Sequence, residues 1–557
     1  MKRTSLLALL LLTACVSTRI PLTDSQLKLK LQEHITFLAS DEYEGRETGE
    51  PGAIKARDYI VDQFELLHLR PKGRKGFLQS YTFPRGASFG PGTQLYINNH
   101  TFVAPSDFVP LPYSSNSNVT GYIVRVGFGI DDPGLQQQDY LGKTGLNKKI
   151  FVMEYGTPDG NNPHGKFAEW TDLRKRIDGA IQRGATGVIF INSDTSLTIP
   201  EPDFNNRISP TSLPVIFAKG KAAELLRDSV ITNITLGTDI NKIMKTGYNV
   251  VGMINNKAKY NIVIGAHYDH LGYGDEGSLY RGTRAIHNGA DDNASGTAAL
   301  IELARQLKAE GPKTNNYIFI AFSGEEKGLL GSNNFVKNAT FDLSTVNYMI
   351  NLDMVGRLKS DDKALIISGS GTSTRWKTLM DSISVDNIRI KQTESGVGPS
   401  DHTSFYLQNI PVLHFFSGTH SDYHKPSDDA DLINYDGEVS IIHMILNTIT
   451  LTANDGKLVF AKTKDDQNEN APKFKVTLGV VPDYAFDGEG MRIDGVTDGK
   501  PASKAGFESG DIVIQIGEYT VVDMMSYMKA LGKFKHGDAV KVKIRRGKDV
   551  FEKEVVF

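Results

Sequence analysis

Five short polar clusters between residues 260 and 425 concentrate the side chains able to do chemistry: Ala266-His267-Tyr268-Asp269-His270, Gly289-Ala290-Asp291-Asp292-Asn293-Ala294-Ser295-Gly296, Ser323-Gly324-Glu325-Glu326, Asn351-Leu352-Asp353 and Asp422-Tyr423-His424. Together they hold enough imidazoles and carboxylates to supply two imidazoles and three carboxylates as metal ligands, with a carboxylate left over as a base. That inventory suits two cations and a hydrolytic water. Taken singly, each cluster has an ordinary explanation. His267 could be a core histidine, although Asp269, two residues on along an extended chain, projects to the same side and can orient its ring. Asp291-Asp292 could cap a helix, and Glu325-Glu326 could open one, where the helix dipole favours acids. Asp353 is harder to dismiss, because a carboxylate embedded in apolar sequence from Val346 to Val355 needs a cation or strong donors to offset its burial. Solvent exposure is the ordinary explanation for most of the polar residues around His424. Yet seven of the thirteen histidines fall between 267 and 424, too many for independent ordinary explanations.

Three of the clusters follow or end an apolar run: 261–266, 317–322 and 346–352 are short and predominantly apolar. Such runs read as strands buried on both faces, with helices between them. After Asp292, the residues Thr297, Leu300, Ile301, Ala304 and Leu307 fall at the spacing of one helical face. Strands alternating with helices predict an α/β fold with a mostly parallel central sheet, whose ligand sites lie at the carboxyl ends of the strands. The polar clusters sit at those ends.

In their order, the clusters resemble the co-catalytic di-zinc aminopeptidase family, which also contains glutamate carboxypeptidase II-like and transferrin receptor-like proteins and glutaminyl cyclases. The segments that carry the resemblance are His267-x-Asp269, Asp291 to Gly296, Glu325-Glu326-x-Gly328-Leu329-Leu330-Gly331-Ser332, Asn351-Leu352-Asp353-Met354 and Tyr423-His424, and the stretch Leu38 to Gly52 looks like an amino-terminal segment common in these exopeptidases. The resemblance covers about residues 25 to 110 and 246 to 455. It implies a zinc exopeptidase fold in which Asp292 bridges two zinc ions, Glu326 and His424 complete one site, and His267 and Asp353 complete the other. Glu325 would be the general base, Asp269 would orient His267, and Tyr423 would donate a hydrogen bond to the oxyanion. Mixed imidazole and carboxylate ligands favour zinc, with cobalt or manganese as substitutes.

The remaining sequence sets the context. Met1-Lys2-Arg3, an apolar run from Leu6 to Leu12 and Thr13-Ala14-Cys15 read as a secretory signal (1–15) that is too short to span a membrane. Its end resembles a bacterial lipoprotein cleavage site, implying that Cys15 is lipidated and that the protein is exported to the cell envelope, lipid-anchored, on the outer membrane or facing the periplasm. Cys15 is the only cysteine of 557 residues, so no intramolecular disulfide is expected. A net charge of −3 without a basic stripe argues against nucleic acid as a partner. The catalytic resemblance divides into 25–111 and 246–455, around residues 112–245, which resemble an inserted, β-rich protease-associated domain. A polar linker is expected over 456–472. Residues 473–557 resemble a bacterial-type PDZ domain, in which Leu478-Gly479-Val480 would offer backbone N–H groups to a peptide carboxylate while the peptide adds a strand. The partners expected are therefore peptide substrates and a C-terminal peptide or envelope protein at the PDZ domain.

An aminopeptidase is the leading expectation. A carboxypeptidase or dipeptidase would need a cationic subsite, for which Arg281, Arg284 and Arg357 are candidates. An aminopeptidase needs an acid near the substrate ammonium, with Glu394 and Asp401 as candidates. A glutaminyl cyclase implies a Trp-rich pocket and a reduced metal site, whereas Trp170 and Trp376 lie outside these clusters. A non-catalytic peptide-binding module implies lost ligands, and none is missing here.

Overall fold

The computed structural model describes residues 21–463 and 476–557, apart from 162–164, 195–196, 198–203, 205–209, 229, 281, 483–488, 497–499, 509, 523 and 536. The signal segment with Cys15, most of the expected linker, and Arg281 lie outside the described residues.

The three apolar runs form the strands Asn261–His267, Asn316–Phe322 and Val346–Leu352, each buried along its whole length. They lie parallel in the order 316–322, 261–267, 346–352, and Val412–Phe416 adds a fourth parallel strand beside 346–352. The flanks are antiparallel. Ala364–Ser368 runs against 412–416 and carries Arg389–Thr393 at the edge, while Ile240–Ile254 runs against 316–322 and pairs in turn with Leu78–Phe89.

Alternation along the strands sends neighbouring residues into two cores. Ile262, Ile264 and Ala266 meet Leu31, Ile60, Leu300 and Ile445 from the helices Asp24–Leu38, Pro51–Leu66, Gly296–Glu310 and Tyr435–Leu451. Val263 joins Ile318 and Ile320 against Phe335 and Phe405 on the opposite face. The helix after Asp292 is more deeply buried than a single stripe predicts, because Ala298, Ala299 and Leu303 are covered along with the expected face. It is enclosed by the sheet on one side and by the helices 24–38 and 435–451 on the other.

The insert contains a five-stranded sheet, ordered 108–110, 215–218, 187–191, 150–154, 123–125, and a four-stranded antiparallel sheet, ordered 100–102, 94–97, 234–238, 117–121. The strands at 94–110 pair with strands near residues 216 and 236, so the insert begins earlier than the expected residue 112. Those strands read as catalytic sequence only because their partners lie more than a hundred residues downstream. The predicted helix ending at Gly184 is present as Leu173–Gln182, with Asp172 capping the Arg174 N–H.

At the carboxyl end, Val480–Pro482 lies at the edge of a sheet beside Met491–Val496, followed by Ile512–Ile516, Ala539–Arg546 and Asp549–Val556. Leu478 is buried in the core beneath it, and the Gly479 N–H donates to Thr477 Oγ1. Gly479 has φ +71° and packs where any Cβ would strike Lys500, so this position requires glycine.

Candidate metal centre

The parallel topology delivers the clusters to one end of the sheet. His267 closes strand 261–267, Glu325 and Glu326 follow strand 316–322, Asp353 follows strand 346–352, and His424 ends the loop after strand 412–416. Asp292 enters from the turn Ala290–Ser295 that starts helix 296–310.

His267 Nε2 lies 3.2 Å from Asp353 Oδ1 and 3.5 Å from Asp292 Oδ1. His424 Nε2 lies 3.2 Å from Asp292 Oδ2 and 3.4 Å from Glu326 Oε2. Ligand atoms about 2.0–2.1 Å from a tetrahedral ion stand roughly 3.3 Å apart, so all four separations match the edges of such a polyhedron. The two oxygens of Asp292 face different histidines, as a bridging carboxylate must. The residues present therefore fit two metal ions.

Electrostatics separates two adjacent glutamates. Burial opposes ionisation of Glu326, but His424 and His270 outweigh it and hold its pKa well below the ordinary value. Glu325 is pushed well above its ordinary value by burial, only partly opposed by His267, with Asp353 and Glu326 adding to the rise. Glu325 is thus the carboxylate without a cationic partner of its own, as expected of a proton carrier rather than a ligand. Burial disfavours charge on His267 and His424, yet the carboxylates of Asp353 and Glu325 around the first, and of Glu326 and Asp292 around the second, lift both pKa values well above normal. The cluster is built around positive charge.

Asp269 departs from its expected role. Its carboxylate stands 3.8 Å from His267 Nδ1, while the ring donates to the Asp269 main-chain carbonyl at 3.2 Å. The carboxylate instead accepts the Glu325 N–H at 3.2 Å and the Thr48 hydroxyl at 2.8 Å, and Thr48 Oγ1 accepts the Gly324 N–H. An extended chain does put Asp269 on the correct side, but the loop at Gly324 comes closer to it than the ring does. Its side chain therefore places Glu325.

Tyr423 stacks on His424, with ring centroids 3.9 Å apart, and burial and the nearby carboxylates of Asp292 and Glu326 keep its hydroxyl protonated. His424 is fixed from the loop between His270 and Gly289: its Nδ1–H donates to the Gly277 carbonyl, and its own carbonyl accepts the Leu279 N–H.

Several residues here were given no role by the sequence, although Arg46 and His270 lie within segments it singled out. Arg46, fully buried, donates to the carbonyls of Leu38, Tyr268, Asn288 and Gly289 at 2.7–2.8 Å and so ties the amino-terminal segment to two clusters. Ser400 accepts from Asn351 and hydrogen-bonds Asp353. His270 Nδ1 lies 2.8 Å from Glu326 Oε1. Among the substrate-end candidates, Arg284 pairs with Asp275 and Arg357 with Asp422, Glu394 is exposed, and Asp401 is buried with its pKa pushed up to about 7, chiefly by burial.

This α/β domain gathers its metal-ligating side chains at the carboxyl end of the parallel strands. Residues 249–449 match the profile of Peptidase family M28, and residues 462–556 match that of the PDZ domain. The first match lies within the α/β domain that holds the site, and the second takes in the C-terminal sheet. Aminopeptidase YwaD of Bacillus subtilis (strain 168) is 28% identical over 277 residues, 47% of this chain and 55% of that protein. A probable leucine aminopeptidase of Trichophyton verrucosum (strain HKI 0517) is 28% identical over 221 residues, 37% of this chain and 56% of that protein. The chain spans about half the length of these curated relatives. The solved aminopeptidase from Aneurinibacillus sp. strain AM-1 aligns with 79% of this chain and 97% of its own at 25% identity, with a TM-score of 0.43.

Proposed function

We propose that this chain is a zinc-dependent aminopeptidase. His267 and Asp353 would hold one zinc ion, Glu326 and His424 a second, and Asp292 both. The chemistry that two bound zinc ions supply is acidification of a water and polarisation of the scissile carbonyl. Glu325, held in place through its N–H by Asp269, accepts the proton of that water and returns it to the leaving amine. The Tyr423 hydroxyl donates to the carbonyl oxygen as negative charge develops on it.

The observation that carries the choice of the amino end is charge. Asp269, Asp292, Glu325, Glu326 and Asp353 crowd one buried site. Of the carboxypeptidase candidates, Arg281 lies outside the described residues, and Arg284 and Arg357 each pair with an aspartate. Such a site attracts an ammonium and repels a carboxylate. The names of the aminopeptidase relatives support the same reading.

The test is release of free amino acids from peptides with free, acetylated or amidated ends, using chelated protein with and without added zinc. Zinc-dependent release from amidated but not acetylated peptides is expected. The opposite blocking pattern would make the enzyme a carboxypeptidase. Leu12-Thr13-Ala14-Cys15 supports lipid anchoring at Cys15 in the cell envelope, which mass spectrometry of the mature amino terminus checks. The insert is assigned to limiting substrate access as a protease-associated domain, and the loop at Leu478, Gly479 and Val480 to capturing a peptide carboxylate beside the edge strand 480–482.

A further inference from the structure

One buried histidine at the metal centre, His270, stands outside the expected ligand set, although its ring lies close enough to Asp292 and Glu326 for the three to hold a metal ion. His270 is 1% exposed, and its seat is built by its neighbours. A Cβ at Gly289 would fall 2.5 Å from the His270 ring, and the φ of +56° at Gly289 also selects against a side chain. Arg46 holds both walls of this seat, donating to the carbonyls of Tyr268 and Gly289, and its own carbonyl accepts the His270 N–H.

The ring nitrogen Nδ1 reaches the second metal cluster, where two distances decide its role. It stands 2.8 Å from Glu326 Oε1 and 3.7 Å from Asp292 Oδ2. The first is shorter than the roughly 3.3 Å that separates two ligands of one tetrahedral ion, and it is the length of a charge-assisted hydrogen bond. The other oxygen of Glu326 keeps the ligand-like spacing to His424, 3.4 Å. A fourth protein ligand would also close a site that needs an open position for water.

We propose that His270 is a positioning residue: its Nδ1–H holds Glu326 Oε1, so that Oε2 is presented to the metal position shared with His424 and Asp292. The inference rests on the two-zinc reading above. It assigns the two oxygens of Glu326 different tasks. The partner that fixes a ligand's orientation is worth about 10- to 100-fold in metal affinity.

The test compares full-length wild type, His270→Asn and His270→Leu. The asparagine amide nitrogen occupies the place of Nδ1 and can donate but cannot ligate, whereas leucine keeps the volume without a donor. Competitive zinc titration measures affinity, and X-ray absorption counts imidazoles per zinc. Two zinc ions on the wild type are the reference, and failure to bind them would refute the two-zinc reading itself. The expected result is a zinc affinity lowered about 10- to 100-fold at one site in His270→Leu, near-wild-type affinity in His270→Asn, and an unchanged imidazole count in both. Loss of an imidazole from the zinc shell in either variant would make His270 a ligand, and undiminished affinity in His270→Leu would leave it no role. Should His270→Leu not fold, His270→Asn against wild type decides: preserved affinity and imidazole count support the hydrogen bond, and loss of either overturns it.

Discussion

Glu325 and Glu326 are chemically identical neighbours with opposite fates: burial opposes ionisation of both, but two imidazoles outweigh it at Glu326 while His267 only partly offsets it at Glu325. On the mechanism proposed above, Glu325→Gln removes the proton acceptor and leaves the proposed ligands in place. It should lower kcat by roughly 10²- to 10⁴-fold while metal analysis still finds the wild-type zinc content. Arg46 makes a different kind of contribution. Its four main-chain bonds join residues far apart in sequence, and Arg46→Met would leave those carbonyls buried and unpaired. The expected cost is on the order of 3–5 kcal/mol, read as a lowered urea midpoint, with zinc affinity falling in parallel because the turn at Gly289 loses its brace. That these polar residues gather at one end of the sheet was legible in the sequence, because His267, Glu325, Glu326 and Asp353 end or follow apolar runs. The contacts of Arg46, Thr48 and His270 were not, since they depend on which loops meet at the end of the sheet, and no local pattern encodes that. Asp269 shows the same limit: its side of the chain was readable, and its partner was not.

The elements behind the centre bury a polar group as well as apolar side chains. Helix Tyr435–Leu451 buries Glu438 completely, with neither carboxylate oxygen hydrogen-bonded. Burial, and next the nearby Asp291, push its pKa well above the ordinary value. A carboxyl that binds its proton more tightly when folded loses stability for the fold as pH rises. The loss begins near the unfolded value of about 4.3 and continues to the folded pKa, at about 1.4 kcal/mol per pH unit. Glu438→Gln should therefore flatten this part of the pH dependence, gaining stability over wild type at pH 8 and little at pH 4, as thermal unfolding at the two values would show. The strands were predictable from their uninterrupted apolar runs. The near-complete burial of helix 296–310 was not, because helices 24–38 and 435–451, which cover its outer face, come from opposite ends of the domain.

At the scale of the molecule, the catalytic sheet leaves for the insert along Leu78–Phe89 and returns along Ile240–Ile254, and Phe89 is paired with Ile240 where the insert begins. The Gly90 N–H donates to the Asp239 carbonyl just beyond. Replacing 90–239 with an Asn-Gly turn should leave the catalytic unit folded and binding zinc, and should broaden the lengths of peptide accepted if the insert limits access. Circular dichroism, zinc titration and a peptide length series check this, and failure to fold would show that the insert is integral. The sequence located the insert by its loss of catalytic resemblance but misplaced its start, because strand pairing rather than composition fixes the border. The same ribbon bears on how the chain folds. Closing an unstructured loop of that size would cost on the order of 4–5 kcal/mol in chain entropy. An insert that has already paired 94–97 with 234–238 delivers residues 89 and 240 side by side, so a folded body takes the place of a hairpin turn. On a chain emerging from the ribosome, the insert is complete before strand 261–267 exists, and the edge of the sheet can be laid down before its centre.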